Sequence, residues 1–155
     1  MTGVPRSGVQ ITLATIQATE SLGEELGRLA EAGDLIVLDG PLGAGKTALA
    51  RGIGRGLGVD GVTSPTFVMA RVHTGGRLPF VHVDAYRLRG LEDLDALDLD
   101  ATLEESLTVV EWGAGVVETL AAEHLVVRLD RESETDVRVA RLEPAGPGWE
   151  ARLPR

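Results

Sequence analysis

A glycine-rich run, Gly40-Pro41-Leu42-Gly43-Ala44-Gly45-Lys46-Thr47, lies between the apolar stretch Leu35-Ile36-Val37-Leu38-Asp39 and the helix-forming stretch Ala48-Leu49-Ala50-Arg51. Its G-x-x-x-x-G-K-[ST] spacing, with a strand pattern before and a helix pattern after, is that of a phosphate-binding loop. Glycine at 40, 43 and 45 lets successive backbone N–H groups turn inward and form a nest for an anion at a helix N-terminus. Lys46 adds a mobile cation for the outer phosphates, and the Thr47 hydroxyl is a hard oxygen ligand of the kind Mg²⁺ favours. The competing reading is a glycine-rich turn that meets the pattern by chance, and the agreement of motif, strand and helix argues against it. The chain holds 14 arginines and one lysine, and that lysine is Lys46. A compact ammonium is therefore kept at the one position where a planar guanidinium would serve less well.

With 155 residues, 43% of them hydrophobic, the whole chain is expected to form one domain, with residues 1–10 frayed and 144–155 a loosely assigned tail. A net charge of −9 argues against unaided binding of tRNA or DNA over most of the surface, and favours a protein partner or a small anion in a local basic nest. There is no cysteine, which removes disulfides, thiolate zinc sites and thiol nucleophiles. Met1 to Gln10 lacks a leader pattern and no run of roughly 18 apolar residues occurs, so a cytoplasmic protein without a membrane segment is expected.

Along the chain, Gln10 to Thr15 reads as a short edge strand. Thr19 is a candidate cap for a helix with an acidic first turn (Glu20, Glu24), an apolar stripe of Leu22, Leu26, Leu29 and Ala30, and an end at Gly33. The loop's helix runs from about Lys46 to Leu57, and Gly52, Gly54 and Gly56 within it suggest close packing on a sheet at a cost of up to ~1 kcal/mol each against Ala. Gly58 to Phe67 is either a plain connection or a segment over the terminal phosphate, where Thr63, Ser64 or Thr66 would offer hydroxyls. Phe67 to Val72 and Leu78 to Asp84 flank Thr74-Gly75-Gly76 as a hairpin.

Asp84 closes a strand, at the edge where open α/β sheets place their chemistry, although an Asp there also serves as a cap or turn residue. His82 shares its face and reads more simply as a hydrogen-bonded core histidine than as a catalyst. Leu91 to Leu107 carries Glu92, Asp93, Asp95, Asp98, Asp100, Glu104 and Glu105 with no basic residue, either a solvated helix face or a docking surface for a basic partner. Leu107 to Val110 is a buried-strand pattern ending in Glu111-Trp112. Val116 to Glu123 reads as a helix, Leu125 to Leu129 and Val137 to Leu142 as strands, and Pro144 to Arg155 as a tail that adds an edge strand around Trp149.

Taken together, the phosphate loop, Ser64-Pro65-Thr66-Phe67, His82-Val83-Asp84-Ala85-Tyr86-Arg87 and Glu111-Trp112 resemble the TsaE (YjeE) family, P-loop ATPases of tRNA threonylcarbamoyladenosine synthesis. The resemblance covers roughly Thr15 to Asp130. It implies a single α/β domain of the P-loop NTPase type, with a mixed, mainly parallel sheet flanked by helices. It implies ATP and Mg²⁺ as cofactors, and TsaD- and TsaB-type proteins as partners through which tRNA is reached indirectly. By position, Pro41, Leu42, Gly43, Ala44, Gly45, Lys46, Thr47 and Ala48 would bind ATP, and Thr47 and Glu111 would hold Mg²⁺. Asp84, with Lys46 and Thr66, would act at the γ-phosphate, and Trp112 would lie close by. One departure is Pro41, where the family usually has Asp: proline removes a backbone N–H from the start of the loop.

The alternatives are a small-molecule P-loop kinase, which needs an arginine-bearing lid beyond Arg87 and Arg89, and a regulatory GTPase, which needs an Asn-Lys-x-Asp element that the sequence lacks. A third is an assembly factor whose hydrolysis only times release.

Overall fold

The computed structural model describes residues 9–41, 44–59, 70–84, 104–111, 123–131, 135 and 137–153. Its strands are β1 (Val9–Leu13), β2 (Leu35–Asp39), β3 (Ala70–His73), β4 (Phe80–Asp84), β5 (Leu107–Glu111), β6 (His124–Arg131) and β7 (Arg138–Ala145). Its helices are α1 (Ile16–Leu29), α2 (Lys46–Leu57) and α3 (Pro147–Arg152). The strands form one sheet in the order β1-β7-β6-β2-β5-β4-β3. At its centre β6, β2, β5 and β4 run parallel. Antiparallel β7 and β1 complete one side and antiparallel β3 the other. This is a single α/β domain with a mixed sheet flanked by helices, as the resemblance implies.

The central strands read as unbroken apolar runs because both of their faces are buried. All five residues of β5 are buried. On one face Ile36, Leu38, Phe80, Val109, Leu125 and Val127 meet Leu22 and Leu26 of α1 and Leu49, Ile53 and Leu57 of α2 in a single core. The latter three recur every four residues, which gives α2 one continuous sheet-facing stripe.

α1 and α2 lie side by side in the same direction, both starting at the carboxyl edge of the parallel strands. A Cβ built on Gly23 would stand 2.4 Å from the Leu49 carbonyl oxygen, and one on Gly27 2.3 Å from that of Ile53. Reciprocally, a Cβ on Gly52 would stand 2.1 Å from the Glu20 oxygen, and one on Gly56 2.3 Å from that of Glu24. The expected packing of these glycines on the sheet is thus corrected: Gly52 and Gly56 face α1, because Leu49, Ile53 and Leu57 already occupy the sheet side. Arg51 and Arg55 line the seam and reach Glu20 at 3.3 and 3.4 Å.

Two expected boundaries also move. The cap of α1 is Thr15, whose extended backbone lets its Oγ1 accept from Ala18 N at 3.0 Å. Thr19 lies inside the helix, 1% exposed, and the first turn holds no acid. The helix ends at Leu29, ahead of Gly33, whose φ of 93° makes the turn into β2. Trp149 lies in α3 rather than on an edge strand. β7 is already paired on both sides, by β6 and β1, and Gly146 with Pro147 starts a helix instead. The helix expected over 116–123 falls outside the described residues, apart from Glu123. Among the described residues no helix is long and apolar enough to cross a membrane.

Candidate functional site

The chain leaves β2 at the sheet's centre, with β5 and β4 on one side and β6 and β7 on the other. The carboxyl end of such a strand opens the crevice where α/β sheets place ligands. Gly40 stands there with φ 152°, and a Cβ on it would lie 2.4 Å from the Leu129 carbonyl oxygen. No other residue fits this exit. Gly45 caps α2 at φ 106°, a conformation that side chains resist. The Thr19 methyl of α1 lies 3.8 Å from where a Gly45 Cβ would be, so both helices abut the loop.

Pro41 is exposed, and its carbonyl accepts from Ala44 N at 3.0 Å and from Lys46 Nζ at 3.3 Å. Lys46 also donates to the Gly40 carbonyl, and only 5% of the residue is exposed. Its ammonium is therefore folded back over the loop's own oxygens and shielded from water, where a charge acts strongly on whatever anion it meets. Ala44 and Ala48 are buried and Thr47 is half-buried in the first turn of α2. Leu42, Gly43, Ser64, Thr66, Arg87, Arg89 and Trp112 lie outside the described residues.

Glu111 ends β5 beside the loop's strand, in register with Leu38 on one side and with Asp84 on the other. The topology thus brings both sequence-selected acids to one edge, on neighbouring strands. Glu111 is 6% exposed, and its Oε2 lies 2.5 Å from Nε2 of the fully buried His82. The reading of His82 as a hydrogen-bonded core histidine holds, with the addition that its partner is the candidate metal-binding acid. The sequence signal was its phase: it shares a face with Asp84 and is one pleat short of it.

Arg138 holds the loop and an Asp39–Arg128 pair ties down the strand end before it, and sequence reasoning assigned neither. Buried Arg138 of β7 donates from Nε to the Ala44 carbonyl at 3.0 Å and from Nη1 to Thr135 O at 3.0 Å. Its signal was an arginine in the inward phase of a strand whose next inward residues are Ala140 and Leu142. Asp39, the last residue of β2, pairs with Arg128, which also donates to Glu143 at 2.8 Å. That hydrogen bond to Glu143 holds the Arg128 guanidinium above its ordinary pKa, helped by the charges of Glu143 and Asp39 and opposed by partial burial.

A central strand that hands a glycine loop to a helix, beside an acid on the neighbouring strand, defines an α/β domain of the P-loop type. Residues 13–140 match the family model described as threonylcarbamoyl adenosine biosynthesis protein TsaE. The chain belongs to the TsaE family. It is 51% identical over 145 residues to the tRNA threonylcarbamoyladenosine biosynthesis protein TsaE of Mycobacterium leprae, covering 87% of this chain and 89% of that protein. It is 53% identical over 135 residues to the protein of that name from Streptomyces coelicolor, covering 83% and 91%. The crystal structure of Bacillus subtilis YdiB superposes with a TM-score of 0.78 at 26% identity, covering 94% of this chain and 90% of that one.

Proposed function

We propose that this protein is an Mg²⁺-dependent ATPase that works in the cytoplasm with TsaD- and TsaB-type partners to form threonylcarbamoyladenosine in tRNA, which it meets only through the complex. The names of its relatives support the pathway. The observation that carries the ATPase reading is the position of Glu111, at the end of the strand paired with the loop's own strand. The loop amides and Lys46 hold the phosphates, with the Lys46 ammonium exchanging loop carbonyls for phosphate oxygens. Thr47 and Glu111 hold Mg²⁺, which suits one hydroxyl and one carboxylate because this ion keeps several waters and takes phosphate oxygens. When bound, Mg²⁺ neutralises charge on the transferring phosphoryl group. Asp84 orients or deprotonates the attacking water, and Thr66 contributes a hydroxyl for the γ-phosphate. Pro41 lacks an amide, and the loss to the nest is small because the amides nearest the phosphates come from Gly43 to Thr47.

The test is calorimetric titration of ATP into wild type and Lys46→Ala, with turnover measured alone, with small-molecule acceptors, and with TsaB and TsaD. Loss of tight binding in a folded Lys46→Ala, and turnover that rises with the two proteins rather than with an acceptor, is expected. Unchanged affinity would remove the phosphate role, and acceptor-dependent turnover would make the protein a kinase.

A further inference from the structure

We infer that His82 is a positioning residue for Glu111: its Nε2–H anchors one carboxylate oxygen so that the other is presented to the cation. This rests on the proposed role of Glu111 as a metal ligand.

The geometry supports a fixed anchor. The Nε2···Oε2 separation is 2.5 Å, with the His82 side chain fully buried and that of Glu111 8% exposed. A carboxylate only accepts, so Nε2 carries the proton. Nδ1 is buried and has no hydrogen-bond partner among the described residues, so among them the bond from Nε2 to Glu111 is the ring's one hydrogen-bonded tether. The ring cannot swing freely. It stacks on Phe80, with centroids 5.7 Å apart and planes at 17°, and Phe80 in turn meets His73 at 5.5 Å. The register explains the reach: His82 pairs with Val109 while Asp84 pairs with Glu111, so the two side chains are diagonal neighbours on one face. A ligating carboxylate whose second oxygen is pinned this way loses little rotamer freedom when the cation arrives, and outer partners of this kind typically change metal affinity 10- to 100-fold when removed.

The experiment titrates Mg²⁺ against a fixed ATP concentration and reads nucleotide binding by calorimetry, with ATP affinity in EDTA as the control. His82→Leu keeps the volume and removes the donor; His82→Asn takes that place if the leucine variant does not fold. His82→Gln keeps an N–H near the position of Nε2. His82→Leu is expected to raise the Mg²⁺ concentration needed for half-binding by about 10-fold or more, leave ATP affinity in EDTA unchanged, and be rescued by His82→Gln. In the double variant with Glu111→Gln, the loss of His82 is expected to add nothing further, because it acts through that carboxylate. An unchanged Mg²⁺ requirement, an equal loss in EDTA, a glutamine variant as poor as leucine, or additive effects would each overturn the inference. If Glu111→Gln itself leaves the Mg²⁺ requirement unchanged, it is the metal-ligand reading that fails. If Glu111→Gln raises that requirement and His82→Leu does not, only the positioning role falls.

Discussion

Glu111 and Asp84 are register partners at the ends of adjacent parallel strands, yet the proposed roles separate them by when they act. A metal ligand contributes as soon as Mg-ATP binds, whereas a group that orients or deprotonates water contributes in the transition state, typically by ~10²- to 10⁴-fold. Glu111→Gln is therefore expected to weaken ATP binding in an Mg²⁺-dependent way, and Asp84→Asn to bind Mg-ATP nearly as wild type while turnover collapses. Binding titration beside single-turnover kinetics checks both, and the opposite pattern would exchange the roles. A second residue-scale effect comes from His73. Partial burial, and then the nearby charges of His82 and Arg71, hold its pKa below the ordinary 6.5. The folded state thus resists a proton that the unfolded chain accepts. Stability from this source is intact above about pH 6.5 and falls as pH drops from there toward the lowered folded value, levelling below it. Urea midpoints measured from pH 7.5 to 5 should fall less for His73→Gln than for wild type; parallel curves would refute the assignment.

At the scale of elements, the α1–α2 seam opposes two effects of known size. Gly52→Ala gains up to ~1 kcal/mol of helix propensity, but its methyl would meet the Glu20 carbonyl oxygen at 2.1 Å, and overpacking typically costs ~1–3 kcal/mol. With rigid backbone as the obstacle, a net loss of about 2 kcal/mol is expected. Urea denaturation decides the sign, and a stabilised variant would show that the helices separate easily. The same seam marks what a sequence discloses. The extent of α2, the buried run of β5 and the hairpin around Gly75 were legible because period, apolar content and turn chemistry are local. The partner of Gly52 was not, since nothing near it in the chain says whether a bare backbone faces strand or helix. Thr19 is a good cap by type, and only the extended backbone at Thr15 shows that the helix starts four residues earlier. Arg138 was missed because its acceptor, the Ala44 carbonyl, lies in a distant stretch of the chain.

In the whole molecule, the end of the sheet opposite the loop is tied by arginines to the C-terminus of α1. Arg77 donates to the Gly27 and Ala30 carbonyls at 2.7 and 2.9 Å. Arg152 donates to the Leu29 carbonyl at 2.8 Å, grips both oxygens of Asp34 at 2.7 and 3.0 Å, and lies 4.2 Å from the ring centroid of buried Trp149. The hydrogen bond to Asp34 keeps Arg152 above its ordinary pKa, with the charges of Asp34, Glu31 and Glu123 adding to it against burial. Breaking a fully buried pair costs ~3–5 kcal/mol and an exposed one ~1 or less. This pair is 18% and 13% exposed, so Arg152→Ala is expected to cost about 2 kcal/mol in urea denaturation; a cost near zero would show α3 to be an ornament. The acidic run that begins in the sequence at Glu92 ends in Glu104 and Glu105, which are exposed. If the run docks a basic partner, reversing Glu104 and Glu105 together with Glu92 and Asp93 should weaken capture by a TsaB–TsaD complex, most strongly at low salt. Equal binding would move the interface elsewhere. The order of the strands also sets a clock for synthesis. β2 and its loop emerge early, but their flanking strands, β5 and β6, come from residues 107–111 and 124–131, and β1 waits for β7. Pairings this distant are slow to form and leave strands exposed meanwhile. A nascent or truncated chain that stops before β6 therefore carries the full phosphate-loop sequence while β2 still lacks one of its two neighbours, so on the proposed function nucleotide is expected to protect the chain from misfolding only after nearly all of it has been made.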